Sequence, residues 1–158
     1  MKQILFLLLI LSCFLSEAQT QVLKFSEAKT LGVPSETLDK TYKSAVHSDP
    51  KLAVFKSESE QQQLQQAYVK FFEDFGKFLS QNNFSWETKT RCFNRIYMEK
   101  DGTVDYFLFD FGKNPLSEYK ENRFRELLSE FLKNHKFPIS ASEKFAQCSP
   151  IVYSDLSR

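Results

Sequence analysis

The stretch "EKDGTVDYFLFDF", Glu99 to Phe111, opens on a turn signal and then carries an apolar or aromatic residue at nearly every position. Asp101-Gly102 predicts a two-residue hairpin loop, because both central positions of a type I′ turn favour positive φ. The arm before it, Trp86 to Met98, is rich in Thr, aromatic and β-branched residues and has no Gly or Pro. Thr103 to Phe111 is the returning arm. A strand with one wet face alternates, and this one does not, so both of its faces need cover.

A two-residue turn assigns the faces. Cys92, Ile96, Met98, Phe107, Phe109 and Phe111 share one, and Phe93, Tyr97, Val104, Tyr106 and Leu108 share the other. Downstream, Gly112, Asn114 and Pro115 end the hairpin, and a helix follows with Phe124, Leu127, Leu128, Phe131 and Leu132 on one side. It stops near Pro138, which biases the preceding residue away from helix. "KFAQCSPIVY", Lys144 to Tyr153, reads as a strand that Pro150 confines to a sheet edge or a bulge.

Upstream, Leu64, Ala67, Tyr68, Phe71, Phe72, Phe75, Phe78 and Leu79 recur at helical spacing and predict a helix over Glu58 to Gln81. A shorter one is predicted from Ser35, with Leu38, Tyr42, Ala45 and Val46 on its apolar side and an end near Pro50. The element order α, α, β, β, α, β gives an α+β fold. Two N-terminal amphipathic helices precede a ββαβ unit with a three-stranded antiparallel sheet in order 2-1-3. One sheet face suits the helix near Glu121 to Lys133; the other is expected to be covered by the N-terminal helices, with a partner protein as the alternative.

The first residues, "MKQILFLLLILSCFLSEA", combine a short positive region, an apolar run too short to span a bilayer comfortably, and small residues at 16 and 18. They read as a bacterial secretory leader cleaved after Ala18, with lipidation of Cys13 in "ILSC" as the rival. Residues 19–33 are then expected to be a loose arm and 34–158 a single domain, helical over 34–82 and ββαβ over 86–153. Periplasm or the exterior is the expected location, with no membrane-spanning segment after cleavage. Removing the leader takes one Lys and one Glu and leaves the formal charge at +1, so neither nucleic acid nor an anionic membrane is an indicated partner.

Cleavage also takes one of three cysteines. The remaining pair, Cys92 and Cys148, sits on neighbouring strands of the expected sheet, where opposed Cα atoms are about 4.5–5.5 Å apart and a disulfide fits. Two free thiols are the alternative.

"DGTVDYFLFDF", the helix after it, the "KFP" ending and the last strand resemble the C-terminal domain of TonB-type energy transducers, over about Ile96 to Tyr153. The resemblance implies a periplasmic binding module whose edge strand, here Phe145 to Tyr153, augments a short segment of a partner. The chain has no Pro-rich spacer, so a stand-alone relative without the energy-transducing role is expected.

Catalytic chemistry is thin. There are two histidines, His47 and His135, both at predicted helix ends, and no G-x-S-x-G, H-E-x-x-H or Gly-rich phosphate loop. Carboxylates such as Glu73 with Asp74, or Asp105 with Asp110, do not stand apart from solvated surface. No cofactor, metal or catalytic residue is expected. The expected role is a non-enzymatic interaction module that meets an envelope protein through the edge strand or the aromatic sheet face, at Phe93, Tyr97, Tyr106, Phe145, Ile151, Val152 and Tyr153. The alternative is a small secreted enzyme or ligand-binding protein with a pocket between the N-terminal helices and the sheet, drawing on Arg91, Arg95 or His135.

Overall fold

The longest apolar stripe makes the longest helix. α3 spans Glu58–Gln81, the bounds its periodicity predicts. Ser57 starts it with a reciprocal cap: its hydroxyl accepts from Glu60 N–H at 3.2 Å, and the Glu60 carboxylate accepts from Ser57 N–H at 2.8 Å. Asn83, at φ 56°, turns the chain out of the helix end. This computed structural model describes residues 20–113 and 115–155. The expected leader, its expected cleavage site at Ala18, and Cys13 lie outside the described residues.

The fold is α+β, with the sheet larger than the sequence predicts. β3 (Thr90–Met98) lies between β4 (Val104–Asp110) and β5 (Phe145–Tyr153), antiparallel to both. Instead of stopping at three strands, the sheet gains a parallel strand at each side. β1 (Gln21–Lys24) joins β4 and β2 (Lys43–Ser44) joins β5, giving a mixed five-stranded sheet in the order β1-β4-β3-β5-β2.

Both additions overturn expectations upstream. The expected loose arm forms β1 and α1 (Phe25–Thr30). A four-residue strand is too short to show a period, yet Val22 falls opposite Phe107 and Leu23 opposite Leu108, so the two residues bury on opposite faces. The expected first helix is reduced to α2 (Ser35–Leu38), because Lys43 N–H and Ala45 N–H bond the Lys144 and Ala146 carbonyls at 3.0 and 2.8 Å. Non-local pairing overrides the local helical spacing.

α3 and α4 (Glu118–Asn134) cover the same face. Phe71, Phe75 and Leu79 from α3 and Phe124, Leu128 and Phe131 from α4 pack on Ile96, Phe107 and Phe109, with Trp86 stacked on Tyr153 at 4.5 Å. That corrects the placement of the long N-terminal helix, which does not cover the second face. The second face is covered by α1, α2 and the turn after it: Ala28, Leu38 and Tyr42 pack on Tyr97, Leu108 and Ala146. A strand apolar on both sides is thus the middle of three layers.

The hairpin differs in detail. Gly102 N–H bonds Glu99 O and Glu99 N–H bonds Thr103 O, so the loop is Lys100–Gly102, with Gly102 at φ 84°. This is a three-residue loop, not a two-residue type I′ turn. A second irregularity compensates, because Asp105 is an extra residue between the pairs Tyr97↔Tyr106 and Met98↔Val104. Beyond it the faces run as the sequence predicts, but Val104 is carried to the α3/α4 side, where it is buried.

Candidate functional site

Cover of the second face is incomplete. Where α1 and α2 end, Phe93 is 42% exposed and Val152 54% exposed, and Arg91, Cys148 and Pro150 beside them are exposed as well. These positions are neighbours in the sheet: Phe93 lies opposite Pro150 and Arg91 opposite Val152. Phe25 borders the patch, its ring 5.7 Å from that of Phe93.

Of the residues predicted to meet a partner, Phe93 and Val152 are exposed here. Ile151 and Tyr106 are half-buried. Phe145 and Tyr153 belong to the α3/α4 core, and Tyr97 is buried under Tyr42 on the second face. Those three correct the expected partner surface: side-chain alternation along β5 turns Phe145 and Tyr153 inward, and α2 closes over Tyr97. Arg95 is not free either. Its guanidinium donates to Asp39 at 2.6 Å and to the Tyr97 hydroxyl at 2.8 Å, tying the end of α2 to β3.

The expected disulfide is also corrected, since both cysteines are free. Cys92 pairs with Ile151 and Cys148 with Arg95, so the two are out of register. They also face opposite sides of the sheet, Cys92 buried toward α3 and Cys148 exposed on the other face. Burial pushes the Cys92 thiol up to about 12, and it donates to Asn94 Oδ1 at 3.2 Å.

The edge of β5 has a specific hydrogen-bond phase. Lys144 O and Ala146 O face β2, so by strand alternation Cys148, Pro150 and Val152 also direct their main-chain groups outward, away from β3. Pro150 therefore lacks a donor only on the outer side, and the ladder to β3 loses nothing. Two outward carbonyls are occupied locally: Cys148 O accepts from Gln147 Nε2 at 3.1 Å, and Pro150 O accepts from Ser149 Oγ at 3.1 Å.

A second concentration of polar groups lies at the hairpin end, and its only trace in the sequence is an Asp within an apolar strand. The bulge aims Asp105 at Tyr42, whose hydroxyl donates to it at 2.5 Å. The Glu99 carboxyl lies beside Asp105 and is paired with Lys144. Burial chiefly, with the neighbouring Glu99 adding to it, raises the Asp105 carboxyl above its usual range, and burial together with the bond to Asp105 raises the Tyr42 hydroxyl. Glu99 and Asp105 border a cleft of about 850 Å³ that also takes in Thr20, Asp101, Lys133 and Lys136.

The remaining candidates are dispersed. His135 stacks on Phe131 and bonds its carbonyl at 2.9 Å, and His47 Nδ1 accepts from Asp49 N–H. Asp74 pairs with Lys70 and Lys77, and Asp110 accepts from Gly112 N–H at the far end of β4 from Asp105. Among the described residues no three His, Cys, Asp or Glu side chains gather as a metal site, and no helix is long and apolar enough to cross a membrane. No family model, no curated protein and no solved structure matches the chain.

Proposed function

We propose that this chain is a non-enzymatic interaction module of the bacterial envelope, exported by its leader and similar in its ββαβ part to the TonB C-terminal domain. The observation that supports this reading is the gap in the cover of the second sheet face, where Phe93, Pro150 and Val152 form an apolar surface beside Arg91. Exposed apolar residues that adjoin one another across two strands, rimmed by charge, are the ordinary signature of a protein-contact site. The partner meets side chains on this face. Strand addition along β5 is disfavoured by the missing Pro150 donor and by the occupied carbonyls of Cys148 and Pro150.

The test is a Phe93→Asp/Val152→Asp double variant, expressed with its leader and compared with wild type by native affinity isolation from the envelope fraction. Both positions are exposed, so thermal melting should be unchanged while a co-purifying protein is lost. Retention of every co-purifying protein by the folded variant would remove the reading.

The Tyr42–Asp105–Glu99–Lys144 network favours a second reading, a small-ligand site in the cleft at the hairpin end. A carboxyl with raised affinity for its proton beside a large cleft is the kind of group that binding sites use. Saturation of backbone NMR shift changes at Glu99, Asp105 and Lys133 by one compound from a fragment screen would favour the cleft over the face.

A further inference from the structure

We infer that Gln147, Ser149 and Pro150 act as a guard on the outer edge of β5, preventing two copies of this chain from joining their sheets. β2 covers that edge only at Phe145 and Ala146. Beyond Ala146 β5 has seven residues with no strand paired on its outer side among the described residues, and the face next to it carries exposed Phe93 and Val152. A bare edge beside an apolar face is a template for edge-to-edge pairing.

The partner that such an edge fits best is its own copy. An antiparallel pairing of two β5 strands centred on Pro150 would set Cys148 opposite Val152 of the second copy, with Cys148, Pro150 and Val152 supplying the outward main-chain groups that face the second copy. It would also bring the Val152 side chain of each copy beside Cys148 of the other, making the two apolar faces continuous.

Three local features oppose this pairing, and all fall on the outward phase of the strand. Pro150 has no N–H, so the centre of the pairing has no donor from either copy. Its carbonyl, the remaining outward group there, already accepts from Ser149 Oγ. The Cys148 carbonyl, which would accept from Val152 of the second copy, accepts from Gln147 Nε2. Gln147 and Ser149 lie one residue before the carbonyls they occupy, and their own main-chain groups serve the ladder to β3. The guard therefore costs the native sheet no hydrogen bond. Shifting the centre toward the start of β5 does not escape it, because Ala146 O is already taken by Ala45 N–H.

Sedimentation velocity of the mature chain, under reducing conditions so that Cys148 cannot crosslink, tests this directly. Wild type should sediment as a monomer over a hundredfold concentration range. The Gln147→Ala/Ser149→Ala/Pro150→Val variant should self-associate at least tenfold more tightly, and adding Val152→Lys to it should restore the monomer. Should Pro150→Val disturb folding by circular dichroism, the Gln147→Ala/Ser149→Ala variant, whose backbone is unchanged, should still associate more than wild type. A folded variant that stays monomeric like wild type, or a wild-type dimer joined through β5, would overturn the inference.

Discussion

Replacing Gly102 by Ala should loosen the hairpin end, at a cost that can be worked out from its surroundings. Gly102 holds φ 84°, a region where an L-residue costs roughly 1–2 kcal/mol. A Cβ there would also lie 2.1 Å from the Phe137 carbonyl oxygen and 3.0 Å from that of Ile139. Neither is a side chain that could swing aside, so the 137–141 segment must move as backbone. Moving it gives up Phe137 N–H to Gly102 O at 2.8 Å and Ala141 N–H to Lys100 O at 2.7 Å, about 1 kcal/mol each. The sum is about 3–4 kcal/mol, which for a domain of this size lowers the melting temperature by about 10 °C. Urea titration gives the free energy and differential scanning calorimetry the temperature. A loss below about 1 kcal/mol would mean that the 137–141 segment is not seated on the turn, and that the hairpin end is not braced as described.

Other outcomes follow from the same geometry. A thiol reagent should modify Cys148 in the native protein and Cys92 only after unfolding, with the mass of the oxidised and reduced protein identical; protection of both cysteines until a reductant is added would restore the disulfide. Asp105 holds its proton more tightly folded than unfolded, so its contribution is most favourable below the unfolded value of about 4 and is lost as pH rises through the folded one. Asp105→Asn, which still accepts from Tyr42, should therefore be at least as stable as wild type at pH 7, with the gap closing toward pH 4 in urea titrations. A variant that is weaker at pH 7 and equal at pH 4 would show the Asp105 charge to be stabilising. Trp86→Ala removes a ring stacked on Tyr153 and packed on Phe84 and Phe124, and should cost about 3–5 kcal/mol by chemical denaturation.

What could be read from the chain depended on how far along it each signal extends. α3 and α4 declare themselves because an apolar stripe sustained over several turns has no competing explanation. β3, β4 and β5 are visible through their β-branched and aromatic content and the turn at Asp101-Gly102. β1 and β2 are not, since their four and two residues are too few to show a period and are set by main-chain pairing to β4 and β5. Tyr42 illustrates the difficulty: its spacing from Leu38 suggests one more turn of helix, yet the chain turns extended after it and its hydroxyl reaches Asp105, 63 residues away. The bulge at Asp105 was equally hidden, and it moved Val104 across the sheet. At the candidate surface, Phe93 and Val152 were legible as residues of one sheet face. The burial of Tyr97 was not, because it depends on Asp39 and Arg95 closing α2 onto the strand.

A partner docked on the open half of the second face would be caught by site-specific photo-crosslinking in living cells. A photoreactive residue would replace Phe93, Val152 or, as a control on the opposite layer, Val69, which is 50% exposed on α3. One envelope protein should be captured from both Phe93 and Val152 and not from Val69. Capture from Val69 alone, or no common adduct from Phe93 and Val152 in cells that fold and export the protein, would contradict it.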